Sequence, residues 1–357
     1  MKKLIYGLAV AASLSVSPLA GAAPNVYGNI HLSLNQADND VSGTNNNLVI
    51  SSNTSALGVK GSEDIGDGGK IIYKAEFQVN IAPVYTTYPD LDKNGDNNGP
   101  QVADADQPFT GRDMFAGLKS GIGVIKFGTM STNYKETGEK VDPLYRTPLE
   151  ARGFLKTQSE ELHSSRSGLN LGRQTNTLQY VTPVFLGGFK IVANTTFSGS
   201  NDESNGIGLR WQNKSLLVYA DYIDSQVGDA KQCTSSENCT TEAASKAGMR
   251  YESKAFMLGL QYEDAEKRTG GNYLFGSAQF NANRNNQIII TLGQYSAKDD
   301  TVEGDSRGYT LAYNHRFSKL TNIYFGYGAK SAAKGLDTGL KNAGDESMFT
   351  MGVRKRF

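Results

Sequence analysis

Along most of this chain, apolar and polar residues trade places at every step. From Ile71 to Asn80, Ile71, Tyr73, Ala75, Phe77 and Val79 share one face, and Lys74, Glu76, Gln78 and Asn80 share the other. Phe256 to Glu263 repeats the device, with Phe256, Leu258, Leu260 and Tyr262 opposite Met257, Gly259, Gln261 and Glu263. The last residues do the same: Phe349, Met351, Val353, Lys355 and Phe357 oppose Thr350, Gly352, Arg354 and Arg356. A period of two is the signature of strands, and helical periodicity is almost absent. Sixteen segments qualify, near 25–35, 55–64, 70–80, 111–119, 123–130, 173–184, 188–197, 206–213, 215–224, 244–253, 255–264, 272–282, 286–296, 307–317, 320–330 and 347–357. Their connectors alternate between short turns, such as Gly66-Asp67-Gly68-Gly69 and Ser318-Lys319, and longer loops rich in Asn, Asp, Gly and Ser.

A soluble sandwich also alternates, but its apolar faces must pack on one another. Here the apolar face carries aromatics near strand ends, and the opposite face carries charge, amide and glycine. That division suits an outer surface in lipid and an inner surface in water. The pattern predicts an all-β, 16-stranded antiparallel transmembrane barrel with short periplasmic turns and long extracellular loops. An even strand number lets the last strand pair with the first and leaves no open edge. Composition agrees. Apolar content is only 38%, with 40 Gly, 18 Tyr and 15 Phe against a single Trp. A barrel needs apolar residues on one face only, so low hydropathy does not argue against a membrane.

At the N-terminus, Lys2 and Lys3 precede an apolar run from Leu4 to Val16 and small residues at Ala20-Gly21-Ala22. This reads as a secretory signal peptide spanning 1–22, leaving one domain, the barrel, over 23–357. The 36 acidic residues balance the 36 basic ones, so nothing points to nucleic acid. The two cysteines, Cys233 and Cys239, stand close together in a polar loop, and in an exported chain they read as a loop-stapling disulfide. A metal site would need more ligands.

Several motifs, taken in order, resemble the Gram-negative general porins, the trimeric sixteen-stranded diffusion channels. They are Val26-Tyr27-Gly28, Ser55-Ala56-Leu57-Gly58-Val59-Lys60-Gly61-Ser62-Glu63-Asp64-Ile65-Gly66, Arg112-Asp113-Met114-Phe115-Ala116-Gly117-Leu118, Phe127-Gly128-Thr129-Met130-Ser131-Thr132-Asn133-Tyr134-Lys135 and Arg173 to Pro183. The C-terminal Phe357 is similar to the terminal aromatic that the family's barrel-assembly machinery recognises. The resemblance implies passive diffusion of small hydrophilic solutes and ions, a homotrimer, and an outer membrane of lipid and lipopolysaccharide as the surroundings.

The resemblance also implies a third long loop, about residues 131–172, that folds inward and narrows the channel. It carries Glu136, Glu139, Asp142, Glu150, Glu160 and Glu161. Alternation and motif position assign Lys60, Lys74, Arg112 and Arg173 to the facing wall. Opposed acids and bases would set up a transverse field that orients dipolar solutes. Ala56 and Thr129 stand where many members carry arginine, so the basic ladder is thin, and weak selectivity or a mild cation preference is expected.

Other constellations weigh less. Asp90, Asp92, Asn94 and Asp96 alternate like the start of a calcium loop, with Gln101 where a bidentate Glu would close it. His31, His163 and His315 are far apart in sequence, His31 expected as a solvated residue of the barrel interior and His315 on the lipid face near an aromatic rim. No set of nucleophile, base and acid stands out. Two alternatives remain: a solute-specific channel with a loop-built binding site, and an outer-membrane barrel hydrolase.

Overall fold

The computed structural model describes residues 23–39, 48–82, 89–91, 97–100, 109–164, 171–197, 204–227, 240–298, 305–331 and 346–357. Its strands in chain order are β1 (Asn25–Asn39), β2 (Leu48–Ser52), β3 (Ala56–Gly66), β4 (Gly69–Val79), β5 (Pro89–Leu91), β6 (Asn97–Pro100), β7 (Phe109–Ser120), β8 (Gly123–Ser131), β9 (Arg173–Val181) and β10 (Phe189–Thr196). They continue with β11 (Ser204–Gln212), β12 (Leu216–Val227), β13 (Thr240–Glu252), β14 (Phe256–Asp264), β15 (Gly271–Asn281), β16 (Asn286–Ala297), β17 (Ser306–Arg316), β18 (Thr321–Lys330) and β19 (Glu346–Arg356). Three short helices join them: α1 (Asn133–Val141), α2 (Glu160–His163) and α3 (Glu266–Thr269).

All but β5 and β6 belong to one antiparallel sheet. Strands β2 and β3 both pair with β1 and are two halves of a single crossing, so the barrel has sixteen crossings. It closes where β1 meets β19, from Asn29↔Arg356 to Asn39↔Glu346. Two backbone bonds finish the seam, Gly28 N to Phe357 O at 2.9 Å and Phe357 N to Gly28 O at 3.1 Å. Closure removes the unpaired edge that hydrocarbon would penalise. The hairpin after β3 turns on Asp67 (φ 49°) and Gly68 (φ 75°), the left-handed pair that a tight two-residue hairpin requires.

Burial is inverted relative to a soluble domain. On β14, Leu258, Leu260 and Tyr262 are about half exposed, whereas Gln261 and Glu263 are buried. The exposed apolar residues continue through Leu292 on β16 and Leu311 on β17, opposite buried Thr291 and Thr310. An uninterrupted apolar outer belt around a polar interior is stable only when lipid covers the belt. Among the described residues no helix is long and apolar enough to cross a membrane; the exposed apolar belt lies on the strands.

The sixteen expected strands are present. The alternation starts the second strand near residue 55; the structure also pairs Leu48–Ser52 with β1 and breaks the crossing at Thr54, whose φ is 59°. The three helices were not expected.

Candidate functional site

The segment after β8 turns into the barrel instead of away from it. Thr132 caps α1 by accepting from Lys135 N at 3.3 Å, with Glu136 in the first turn and Lys140 in the last, both favourable to the helix dipole. The inner wall then holds the loop at successive strands. Arg210 on β11 donates to Glu136 Oε2 at 2.9 Å and to Asn133 O at 3.0 Å. Asn133 donates to Asp221 Oδ1 on β12 at 3.0 Å. Lys246 on β13 donates to Tyr134 O, and Ser277 on β15 donates to Val141 O at 2.5 Å.

Further along, inward-facing glycines make room for apolar knobs of the loop. A Cβ on Gly308 would lie 2.8 Å from Leu155, one on Gly326 2.7 Å from Leu149, and one on Gly328 2.9 Å from Phe154. The loop therefore lies along the wall from β11 to β18, and the open lumen lies between it and the remaining strands.

A buried cluster secures the middle of the loop. Ser159 N donates to Glu263 Oε2 at 3.2 Å, and Ser159 Oγ donates to Glu263 Oε1. Burial and the nearby Lys246 ammonium push His163 well below the usual imidazole range, so the ring is neutral. Its Nδ1–H donates to Ser159 O at 2.9 Å, which leaves Nε2 to accept from Lys246 Nζ at 2.8 Å. By residue type Ser159, His163 and Glu263 look like a hydrolytic set. All three are sealed from solvent, and their hydrogen bonds are spent on holding the loop.

Across the lumen, a bulge shapes the opposite wall. Ala75 pairs with Met114 and Phe77 with Gly111, so Glu76 alone faces both Arg112 and Asp113. Such a bulge breaks the alternation and turns both neighbours inward. Arg112 Nε donates to Glu76 Oε1 at 2.6 Å, Lys74 Nζ lies 2.8 Å from Asp113 and 3.2 Å from Glu76, and Arg173 Nε donates to Asp113 at 2.8 Å. Tyr27 Oη donates to Glu76 Oε2 at 2.7 Å. The loop contributes its own cations. Arg146 is held at φ 67° and lies within electrostatic reach of Glu76 and Arg112, while Arg152 pairs with Glu150 at 2.9 Å.

The family model of the Gram-negative porins matches residues 7–334. The chain belongs to the Gram-negative porin family. It is 24% identical over 375 residues to the major outer membrane protein P.IB of Neisseria lactamica, covering all of both chains. The anion-selective porin from Comamonas acidovorans superposes with a TM-score of 0.66 at 17% identity, covering 94% of this chain and 99% of that one. Salmonella typhi OmpF, solved with daunomycin, superposes with a TM-score of 0.67 at 13% identity, covering 94% of this chain and 97% of that one. The protein is thus an outer-membrane porin, a channel for passive diffusion and not an enzyme.

Within this porin, several assigned roles change. Asp142 does not face the lumen: it is buried and accepts from Leu144 N and Ala151 N, each at 2.9 Å, so it staples the loop. Burial, with Glu150 adding, pushes its carboxyl up to about 7. Four other loop acids are engaged as well. Glu136 meets Arg210, Glu139 accepts from Tyr145 Oη at 2.6 Å, and Glu161 pairs with Arg268 at 2.8 Å on the side of β14 and α3. Glu160 is exposed. Of the four expected wall cations, Lys74, Arg112 and Arg173 are matched by Glu76 and Asp113, which sequence reading did not nominate. Lys60 is exposed, with Nζ 5.0 Å from the Tyr27 ring centre.

His31 does face the interior, yet it is fully buried against Tyr324 Oη at 2.9 Å and is not a solvated lining residue. His315 lies at a rim, its Nδ1 2.7 Å from Asn286 Oδ1, stacked edge-on to Phe317. Residues 1–22, Cys233, Cys239, Asp92, Asn94 and Asp96 lie outside the described residues, as does the side chain of Asp90.

Proposed function

We propose that this porin passes small hydrophilic solutes with weak charge selectivity, leaning toward anions. The observation that carries the reading is charge compensation at the constriction. Wall cations meet wall acids within 2.6–3.2 Å, and each belt is close to neutral within itself, so the transverse field expected from a basic wall facing an acidic loop is largely cancelled. Arg146 of the loop adds a further cation within electrostatic reach of this wall, which replaces the expected mild cation preference by a small bias of the opposite sign. The working form is a homotrimer in a lipid and lipopolysaccharide membrane, inserted by the barrel-assembly machinery through Phe357. A trimer form of OmpT from Vibrio cholerae, which shares this fold, supports that reading. Cys233 and Cys239 staple their loop. Asp90, Asp92, Asn94 and Asp96 would bind calcium only weakly, given the missing closing carboxylate.

Liposome swelling tests the diffusion reading. Neutral sugars of rising size should enter at rates that fall smoothly with size and show no saturation. Saturation by one sugar and not its isomers would replace general diffusion by a solute-specific channel.

A further inference from the structure

Below the loop, at the rim of short turns, lies a cavity of about 590 Å³, within the usual range for small-ligand sites. Leu144 and Tyr145 of the loop form its roof. Five cations line it: Arg284, Arg316, Lys319, Arg354 and Arg356. No carboxylate does, and among the described residues none of the five takes part in an ion pair. The constriction differs. There each of Lys74, Arg112 and Arg173 has an acid within 3.2 Å. Here like charges gather without one, which costs Coulomb energy in the empty channel unless an anion enters.

Strand parity shows that Arg316, Arg354 and Arg356 face the lumen and not the lipid headgroups. Arg316 shares the inner face of β17 with Asn314, and Arg354 and Arg356 share that of β19 with buried Thr350. Amides complete the surface: Asn314 donates to Gln287 at 2.7 Å, Asn322 donates to Asn314 at 2.7 Å, and Arg354 Nε donates to Asn29 Oδ1 at 3.1 Å. These bonds fix the floor and orient one guanidinium without neutralising it. His31 borders the same cavity, and its Nδ1 is buried without a hydrogen-bond partner in the structure. Arg146 of the loop lies within electrostatic reach of Arg354 and Arg356 and adds to the positive charge there.

We propose that this vestibule is a binding site for multivalent phosphate-class oxyanions, open to the short-turn side of the membrane. Guanidinium forks match the paired oxygens of such anions, and a group of five charges favours a multivalent ion over chloride. The proposal rests on the channel reading above, and its failure is separable from the failure of that reading. Porin inserted with one orientation into a planar bilayer is recorded in potassium chloride, with inorganic pyrophosphate added to one compartment at a time at constant ionic strength.

Pyrophosphate should reduce current from the short-turn side at concentrations at least tenfold lower than from the long-loop side, and orthophosphate should do so more weakly. Arg316→Gln combined with Arg354→Gln should raise the half-blocking concentration at least tenfold. Lys319→Gln, a turn substitution that leaves the inner wall intact, should raise it a few-fold. Equal block from both sides, or block unchanged in both variants, overturns the site. Normal conductance steps without any block also overturn it while leaving the channel standing; absence of steps in potassium chloride alone counts against the channel.

Discussion

Lys246 is the side chain on which the inward loop depends most. It is buried on β13, its Nζ donates to Tyr134 O and lies 2.8 Å from His163 Nε2, and the ammonium sits 4.2 Å from the Tyr134 ring centre. Two buried carboxylates, Asp221 and Glu263, rely on its charge. Lys246→Met keeps the volume and removes the charge. It leaves a histidine nitrogen and a helix carbonyl without their shared donor, and two acids without a nearby positive charge. Removing one partner of a buried charge cluster costs about 3–5 kcal/mol. That shifts the balance between docked and released loop by roughly a hundred- to a few-thousand-fold. The barrel wall has its own hydrogen bonds, so it should still fold and run as a compact species on unheated gels. The single-channel current should become noisy, with frequent excursions in conductance, and limited proteolysis should cut near residues 142–160. Adding Glu263→Gln and Asp221→Asn, which deletes the orphaned charges, should restore part of the quiet current. A Lys246→Met channel as quiet and protease-resistant as wild type would refute the view that this cluster anchors the loop.

Other perturbations have defined outcomes. Asp142 titrates at about 7 in the docked loop against an ordinary 3.8, so docking is fully favoured below about pH 4 and weakens as pH rises to about 7; the gap corresponds to about 4 kcal/mol. Current noise should grow across that window and level off above it, and Asp142→Asn should abolish the dependence. Glu76→Gln with Asp113→Asn frees Lys74, Arg112 and Arg173, and should move the zero-current potential in a salt gradient further toward anion preference. Leu260→Arg, in the middle of the apolar belt of β14, should destabilise the barrel by about 2–4 kcal/mol, read from urea titrations of refolding into lipid. Gly28→Val would drive a side chain into the Phe357 ring, which lies 2.2 Å from a Cβ at that position, and should lower the yield of folded barrel in the membrane fraction.

The barrel was legible because its signal is local. Alternation along each strand reports which face meets lipid, and loop composition reports where strands end. The charged wall across the lumen was half legible. Lys74 and Glu76 share a face by simple parity, so Glu76 could have been found. Asp113 could not, since adjacent Arg112 and Asp113 belong to opposite faces until a bulge turns both inward. Asp142 was misread for another reason: nothing in the sequence near it distinguishes a lumen carboxylate from one that accepts two backbone N–H groups. The anchor was invisible because Lys246 and Tyr134 are 112 positions apart. The cationic vestibule was visible only in pieces, with Arg354 and Arg356 on one strand and Arg316 on another, until closure of the barrel set them around one cavity.

The central claim is a water-filled channel whose constriction is compensated in charge and whose small bias favours anions. Planar-bilayer recording in a potassium chloride gradient tests it most directly. Stepwise conductance that scales with the bulk conductivity of the salt is expected, with a small zero-current potential of the sign set by chloride. No steps, or a large potential of the sign set by potassium, would contradict it.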